Sequence, residues 1–326
     1  MRQGALIFLG GFFSLACSWA ALVLAPVLQL GGLTAHHDQN SGLIYPVNRP
    51  GRAHQGAEVY RSLGCNQCHT RFAVQDNLLF SAKLNKASTN KEPVLAALLA
   101  IRPEWSEKEA SDVFGELPRE VLTPGALFPA QRAVELLSKT DSKAELSIHN
   151  IGADIVRGWG TRRSVARDYL YDLTMLAGTL RIGPDLANIG ERKPSDFVGA
   201  WGFSSATNIV EQLAERRQRL LVHLYNPRIY VPASTMPSYP FLFETRAATG
   251  IGTENSLKLP VEFAPNDGNV VVPRSDAESL VEWLLSQQAS VSLPEAPTPV
   301  VNKPVVEADS SSTNAPLTTT QAPAKQ

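Results

Sequence analysis

The chain has 326 residues, of which 44% are hydrophobic and 19% are charged, so it holds enough apolar sequence for one or two packed domains. Its net charge is −1, without the basic stripe typical of a nucleic-acid-binding protein or the acidic block typical of a solvating tail. It has three cysteines, Cys17, Cys65 and Cys68, which excludes a disulfide-rich scaffold.

Residues 1–33 are predicted to anchor the chain in a membrane. After Arg2 there is no charged residue before Asp38, and residues 5–33 are almost wholly apolar. A helix needs about 20 apolar residues to cross the hydrocarbon core of a bilayer, and this segment supplies more. A cleaved signal peptide and a lipoprotein site at Cys17 are the alternatives, but the apolar run continues past that cysteine. The single positive charge near the N-terminus indicates that the rest of the chain is exported.

Residues 34–53 are rich in Pro, Gly and Asn and are predicted to form an extended tether, in which His36 and His37 are solvated. A short helix is predicted next, in the sequence HQGAEVYRSLG, with Gly64 as its C-terminal stop. The motif CNQCH, residues 65–69, follows at once.

Residues 73–150 are predicted to form a helical insertion. Ser106 and Glu109 have the spacing of a capping box, and the sequence PAQRAVELLSK has helical periodicity. No constellation of side chains in this segment indicates a particular chemistry, so the sequence assigns it no function.

Two helices and a tail are predicted in the C-terminal half. The sequence SSATNIVEQLAERRQRLLVHLYNP predicts a helix that ends near Pro227. In SDAESLVEWLLSQQ, Ser275 and Glu278 have the spacing of a capping box, and apolar residues follow at helical intervals. Residues 291–326 are rich in Pro, Ser, Thr and Ala and are predicted to be a disordered tail.

The motif CNQCH is compatible with half a zinc site, a redox-active dithiol or a covalently attached haem. A structural zinc site needs two further ligands, and the chain has no second cysteine pair. A thioredoxin-like dithiol lies between a strand and a helix, whereas this pair follows a helix. Haem c accounts for every residue, because Cys65 and Cys68 bind its two vinyl groups and His69 ligates the iron. The sequence therefore favours one covalent haem c.

A second axial ligand is expected, and a methionine sulfur is the common one because it favours ferrous iron. Met1 lies on the wrong side of the membrane, and Met175 has the context of a packed core residue. Met236 lies in PASTMPSYP, a loop held by prolines, and is predicted to be the distal ligand. Gly183 and Pro184, in RIGPDLANIG, are candidates for the turn that in class I cytochromes c offers a carbonyl to the proximal histidine.

With these motifs, the sequence resembles the mono-haem, membrane-anchored subunit (subunit II) of cbb3-type haem–copper cytochrome c oxidases. The matching parts are the anchor, GAEVYRSLGCNQCHT, GWGTRRS, RIGPDLANIG, HLYNPRIYVPASTMPSYPFL and DAESLVEWLLS, which cover roughly half the chain. CNQCH and GPDL are common to class I cytochromes c, whereas NPRIYVPASTMPSYP is more specific to this family. The insertion and the tail depart from the family pattern.

The resemblance implies a mainly α fold, with a single transmembrane helix and a class I cytochrome c-like domain at residues 54–290 that carries the helical insertion. It places that domain on the periplasmic side of the bacterial cytoplasmic membrane. The site residues it implies are Cys65 and Cys68 for haem attachment, His69 and Met236 for axial ligation, Gly183 and Pro184 beside the histidine, and Arg181 and Arg228 for salt bridges to the haem propionates.

The implied function is to pass electrons from another c-type cytochrome subunit, or from a soluble cytochrome c, to the catalytic haem–copper subunit. The sequence has no nucleophile–base pair that predicts a catalytic site of its own, so its status as an enzyme stays open. The small subunit of a nitric oxide reductase, a freestanding anchored electron shuttle and a haem-based sensor are the alternatives. The expected partners are the oxidase subunits and the lipid bilayer, and no nucleic acid.

Overall fold

The computed structural model is a mixture of helix and sheet, with 44% of residues in helices and 14% in strands. It describes residues 2–37, 42, 44–49, 51–192, 208–249, 253–266 and 268–298. The strands come largely from the segment that follows the CNQCH motif, where only helices are expected from the sequence. The predicted tail from residue 299 onward lies outside the described residues.

The N-terminal segment is one long helical run that projects from the rest of the protein. It comprises helix α1 (Arg2–Trp19), a π-helical turn (Ala20–Leu24) and helix α2 (Ala25–Leu30), with Pro26 in the first turn of α2. Proline has no N–H to donate and cannot continue a regular α-helical ladder, which fits a local change of helix type just before it. The 28 residues Gln3–Leu30 are long and apolar enough to cross a membrane, and none of this span is buried.

The tether is fastened to the body of the protein. Strand β1 (His36–His37) pairs antiparallel with β2 (Ile44–Tyr45). The Tyr45 hydroxyl contacts the Asp168 carboxylate at 2.8 Å and the Gln288 carbonyl at 2.8 Å. The described residues of the tether are therefore bound to the main body instead of forming a free extended linker.

Two helices cross at the centre of the main body. They are α3 (Arg52–Ser62) and α9 (Ser275–Leu285), and the Tyr60 and Trp283 rings lie 4.4 Å apart at the crossing. A Cβ atom at Gly56 would be 1.9 Å from the Ser279 carbonyl oxygen, so only glycine allows this approach. Both helices are confirmed. The predicted capping box at the start of α9 is wrong, because Arg274 occupies the N-cap position and Glu278 binds Arg52 at 2.7 Å instead.

A first hydrophobic core surrounds this crossing. Besides α3 and α9, it includes helix α8 (Ile209–Tyr225) and the antiparallel pair of strands β6 (Phe243–Ala247) and β7 (Asn269–Pro273). Helix α8 contributes the apolar face of its last two turns, which carries Leu220, Leu221 and Leu224. The core thereby joins the segment before the CNQCH motif to the C-terminal third of the chain.

The insertion forms a second α/β unit with its own hydrophobic core. Its elements in chain order are strand β3 (Asn77–Lys86), helices α4 (Lys91–Ile101) and α5 (Glu107–Asp112), strand β4 (Arg119–Glu120), helix α6 (Leu127–Ser138) and strand β5 (Lys143–Ile151). The three strands form an antiparallel sheet in the order β4-β3-β5. The predicted capping box of Ser106 and Glu109 is confirmed at the start of α5.

The expectation of a purely helical insertion is therefore wrong. Strand β3 carries buried residues on both of its faces, so it lacks the strict alternation by which a half-buried strand is recognised. Its partner β5 begins 57 positions after β3 ends, and such pairing is not visible in local periodicity. Helix α7 (Ala153–Val156) then returns the chain to the main body.

The predicted start of the tail at residue 291 is also wrong. Residues 291–298 pack on the main body, where Leu293 is 2% exposed and Ala296 is 3% exposed. Arg162 donates to the Val291 carbonyl at 2.7 Å, and Arg163 donates to a second carbonyl of this segment at 2.8 Å. These bonds use backbone acceptors, which explains how a segment poor in large apolar residues is held in place.

Candidate functional site

The CNQCH motif forms a compact turn at the end of α3. Helix α3 stops at Ser62, and Gly64 has φ +69°, a left-handed conformation that favours glycine. The backbone N–H of His69 donates to the Cys65 carbonyl at 2.9 Å, as does that of Cys68 at 3.2 Å. The turn thus brings both cysteines and the histidine together.

The loop at residues 177–186 runs alongside this turn and is hydrogen-bonded to its backbone. All three bonds run from a backbone N–H of the loop to a backbone carbonyl of the turn. Thr179 donates to Asn66 at 3.0 Å, Gly183 donates to Cys68 at 2.9 Å, and Leu186 donates to Thr70 at 2.7 Å. Each of these bonds joins residues more than 100 positions apart, so the insertion lies between two halves of a single site.

The His69 imidazole is held by Gly183 and Pro184. Its Nδ1 atom lies 2.8 Å from the Pro184 carbonyl oxygen, which is the contact predicted for this turn. A carbonyl can only accept, so Nδ1 carries the proton and Nε2 keeps its lone pair for a ligand. A Cβ atom at Gly183 would be 2.2 Å from Cε1 of the ring, so any side chain there would displace the imidazole.

Both cysteines are free thiols, Cys65 partly buried and Cys68 exposed. Burial is the main reason that the Cys65 pKa is raised to about 11, so this thiol is protonated at neutral pH. Burial also lowers the pKa of His69, and this outweighs the opposing effect of its hydrogen bond to Pro184. The turn therefore presents the Nε2 atom of His69 beside one partly buried and one exposed cysteine side chain.

Met236 and Cys65 pack against the same hydrophobic core. Both side chains are partly buried against the first core, although 171 positions separate them. The backbone N–H of Met236 donates to the Ser234 hydroxyl at 3.2 Å. The backbone N–H of Tyr239 donates to the Leu224 carbonyl at 2.9 Å, which ties the methionine loop to α8. Met175 is 56% exposed, so the expectation that it packs in a core is wrong.

Arg181 is occupied by protein partners. Its Nη1 atom lies 2.9 and 3.0 Å from the two carboxylate oxygens of Asp154. Its Nη2 atom donates to the Phe72 carbonyl at 2.7 Å, and its Nε atom donates to the Thr70 hydroxyl at 2.9 Å. Asp185 lies 3.5 Å from Nη2 as well. This arrangement speaks against the predicted salt bridge from Arg181 to a haem propionate. Instead, the arginine joins α7, at the end of the insertion, to the segment after His69.

Arg228, the other predicted propionate partner, has an exposed side chain in the short turn that follows α8. Its backbone N–H donates to the Asn226 side chain at 3.1 Å. The structure therefore leaves its guanidinium on the surface, at the start of the loop that carries Met236.

Two residues of this region, one completely buried and one half-buried, are not predicted from the sequence. Asp185 is completely buried and accepts from the Thr70 hydroxyl at 2.6 Å and from the Phe72 N–H at 2.8 Å. His223 lies in the last turn of α8, where burial, reinforced by the nearby His69, lowers its pKa to about 4. A histidine among the leucines of an apolar helix face is the one signal that marks it in the sequence.

The described residues contain no group of three or more His, Cys, Asp and Glu side chains that could hold a metal ion. A zinc-type cluster is therefore absent from this part of the chain. The chain matches no known family model, and no curated protein matches it.

Proposed function

We propose that this protein is a membrane-anchored c-type cytochrome that carries one haem, attached covalently through Cys65 and Cys68. The observation that carries the proposal is the hydrogen bond between His69 Nδ1 and the Pro184 carbonyl, with Gly183 against the ring. This bond fixes the tautomer and orientation of the imidazole and raises the basicity of Nε2, as is usual for a metal-ligating histidine.

The residues present fit a haem c. The turn offers two free thiols separated by two residues and a histidine directly after them. The absence of a side chain at Gly183 leaves a place for the imidazole that a Cβ atom would fill. Met236 packs on the same core as Cys65 and supplies a thioether as the proposed distal ligand.

The proposed fold of the main body is that of a class I cytochrome c, interrupted by the α/β insertion. Support comes from the close crossing of α3 and α9, with the cysteine motif at the end of α3. When bound, haem c supplies a one-electron ferric–ferrous couple. The chain's own residues hold the imidazole through Pro184 and pack Cys65 and Met236 against the first core.

We infer that the protein is subunit II of a cbb3-type oxidase and relays electrons from another c-type cytochrome to the haem–copper subunit. The segment NPRIYVPASTMPSYP and the apolar helix Gln3–Leu30 support this reading. The haem domain then lies on the periplasmic side of a bacterial cytoplasmic membrane. No reaction besides electron transfer is assigned to the subunit.

The test is purification of the protein from its native membrane in mild detergent, with a cytochrome spectrum and metal analysis of the product. Haem should remain on the denatured polypeptide, and a Cys65→Ser, Cys68→Ser double variant should lose it. A copper-containing, multi-haem partner is expected to co-purify. Non-haem iron in place of copper would support a nitric oxide reductase, and recovery as a lone monomer would contradict the oxidase assignment.

A further inference from the structure

Five exposed apolar and aromatic side chains lie on the tether and on residues 171–175, near the point where the chain leaves the N-terminal helix. They are Ile44, Val47, Tyr171, Leu173 and Met175, which are between 45% and 79% exposed, and together they are called the membrane-side patch. Val47, Tyr171 and Leu173 line one cavity of about 130 Å³ between the tether and the 169–176 loop. The two parts of the patch therefore adjoin.

The patch lies close to the end of the helix that is proposed to cross the membrane. Thr34 is four residues after Leu30, where α2 ends, so it lies within about 14 Å of the helix end. Arg167 donates to the Thr34 carbonyl, only four positions before Tyr171. Tyr45 fastens the tether to the neighbouring Asp168. These contacts hold the 166–175 segment beside the exit of the helix from the bilayer.

The acidic groups next to the patch are neutralised within the protein. Asp172 pairs with Arg71, and Asp168 pairs with Arg162 at 2.8 Å. Glu58, which lines the same cavity and is half exposed, pairs with Arg61 at 2.7 Å. Arg49, on the tether next to Val47, is exposed. The surface is therefore apolar with a basic margin, which is the composition that favours an anionic lipid surface.

We propose that the membrane-side patch rests in the interfacial layer of the same bilayer that holds Gln3–Leu30. Exposed apolar patches mark interaction surfaces, and tyrosine is enriched at the level of lipid headgroups. The contact fixes the main body against the membrane, in addition to the covalent tether. The inference rests on the membrane anchor of the proposed function, but it needs neither haem nor a partner subunit.

The test measures the accessibility of single cysteines in the full-length protein, in nanodiscs of phosphatidylcholine and phosphatidylglycerol. In a Cys17→Ser background, Leu173→Cys is compared with Val261→Cys, a 94% exposed site remote from the patch in sequence, and with Leu22→Cys inside the helix. A charged maleimide should modify Leu173→Cys about tenfold or more slowly than Val261→Cys, since the remaining apolar side chains of the patch keep this position in the interface, away from a reagent confined to water. An apolar maleimide should largely remove the difference.

Each possible result decides the question. Equal reaction of Leu173→Cys and Val261→Cys with the charged reagent, with Leu22→Cys protected, would overturn the inference and leave the anchor intact. Reaction of Leu22→Cys would overturn both the inference and the anchor. Protection of Leu173→Cys in native membranes but not in nanodiscs would assign the patch to a protein partner and also overturn the inference. Mass spectrometry that finds Cys65 and Cys68 labelled as well would contradict haem attachment without affecting these comparisons.

Discussion

The imidazole Nδ1 of His69 lies 2.8 Å from the carbonyl oxygen of Pro184, which is 115 positions further along the chain. The contact joins the end of α3 to the loop that follows the insertion. It can form only because Gly183 has no side chain, since the ring occupies the place where a Cβ atom would lie. The position of the proposed iron ligand is thus set by residues far from the motif itself.

Replacement of Gly183 by alanine should displace the imidazole from Pro184. Overpacking at a closely packed site costs about 1–3 kcal/mol of unfolding free energy, and a similar loss is expected here. The yield of covalently bound haem should fall, as measured by absorbance of the denatured, purified protein. Gly115→Ala is the control, because no atom lies within 4 Å of the new Cβ. Equal haem yield and stability in both variants would show that the close contact is unimportant.

Met236→Ala should remove the sulfur ligand from the proposed iron site. The ferric absorption spectrum should lose the features of thioether ligation, and the reduction potential should fall by on the order of 100 mV, a fraction of the roughly 0.8 V range that axial ligands span. Met175→Ala is the matched control, since that side chain is 56% exposed. A spectrum and potential unchanged in Met236→Ala would exclude this methionine as the ligand.

The sequence predicts the parts of this arrangement that depend on local motifs. The two crossing helices, and the stop signal at Gly64 just after α3 ends, follow from helix periodicity and stop residues. These features are predictable because each depends on a few neighbouring residues. The contact of Pro184 with His69 spans 115 positions and is expected only from the likeness of RIGPDLANIG to the Gly-Pro turn of class I cytochromes c.

The rest depends on pairing between distant segments. The sequence motif around Arg181 predicts a haem propionate as its partner, but Asp154 of α7, 27 positions earlier, binds its guanidinium instead. The β3–β5 pairing and the packing of residues 291–298 are likewise non-local. No local pattern distinguishes an arginine that binds a cofactor from one that is satisfied by a carboxylate.

Asp154→Asn should weaken the connection between the insertion and the segment after His69. The carboxylate is 4% exposed and accepts from Arg181 and from the Val74 N–H at 2.8 Å, so a loss of about 1–3 kcal/mol is expected on urea unfolding. Asp112→Asn, at an exposed position of α5, should change stability by less than about 0.5 kcal/mol. If both variants unfold alike, the Asp154–Arg181 pair contributes little.

Leu98→Ala should destabilise the insertion without changing the haem spectrum. Leu98 is completely buried in the second core, which is separate from the first core around α3 and α9. The cavity should cost about 2–5 kcal/mol, measured by hydrogen exchange in β3, α4 and β5. Leu127→Ala is the control, because Leu127 is 39% exposed. A change in the haem spectrum of Leu98→Ala would show that the two cores are mechanically linked.

His223 should make the stability of the protein depend on pH. Its pKa is about 4 in the folded protein because of burial, against about 6.5 when unfolded. The unfolded chain therefore takes up a proton first as the pH falls, so the stability present above pH 6.5 is lost progressively towards pH 4. Between pH 7 and pH 5 the loss from this group should be about 1–2 kcal/mol in urea unfolding. This loss of unfolding free energy should disappear in His223→Leu. It should persist in His54→Leu, the control, which changes an exposed histidine. The same pH dependence in His223→Leu as in the unmodified protein would mean that other groups cause it.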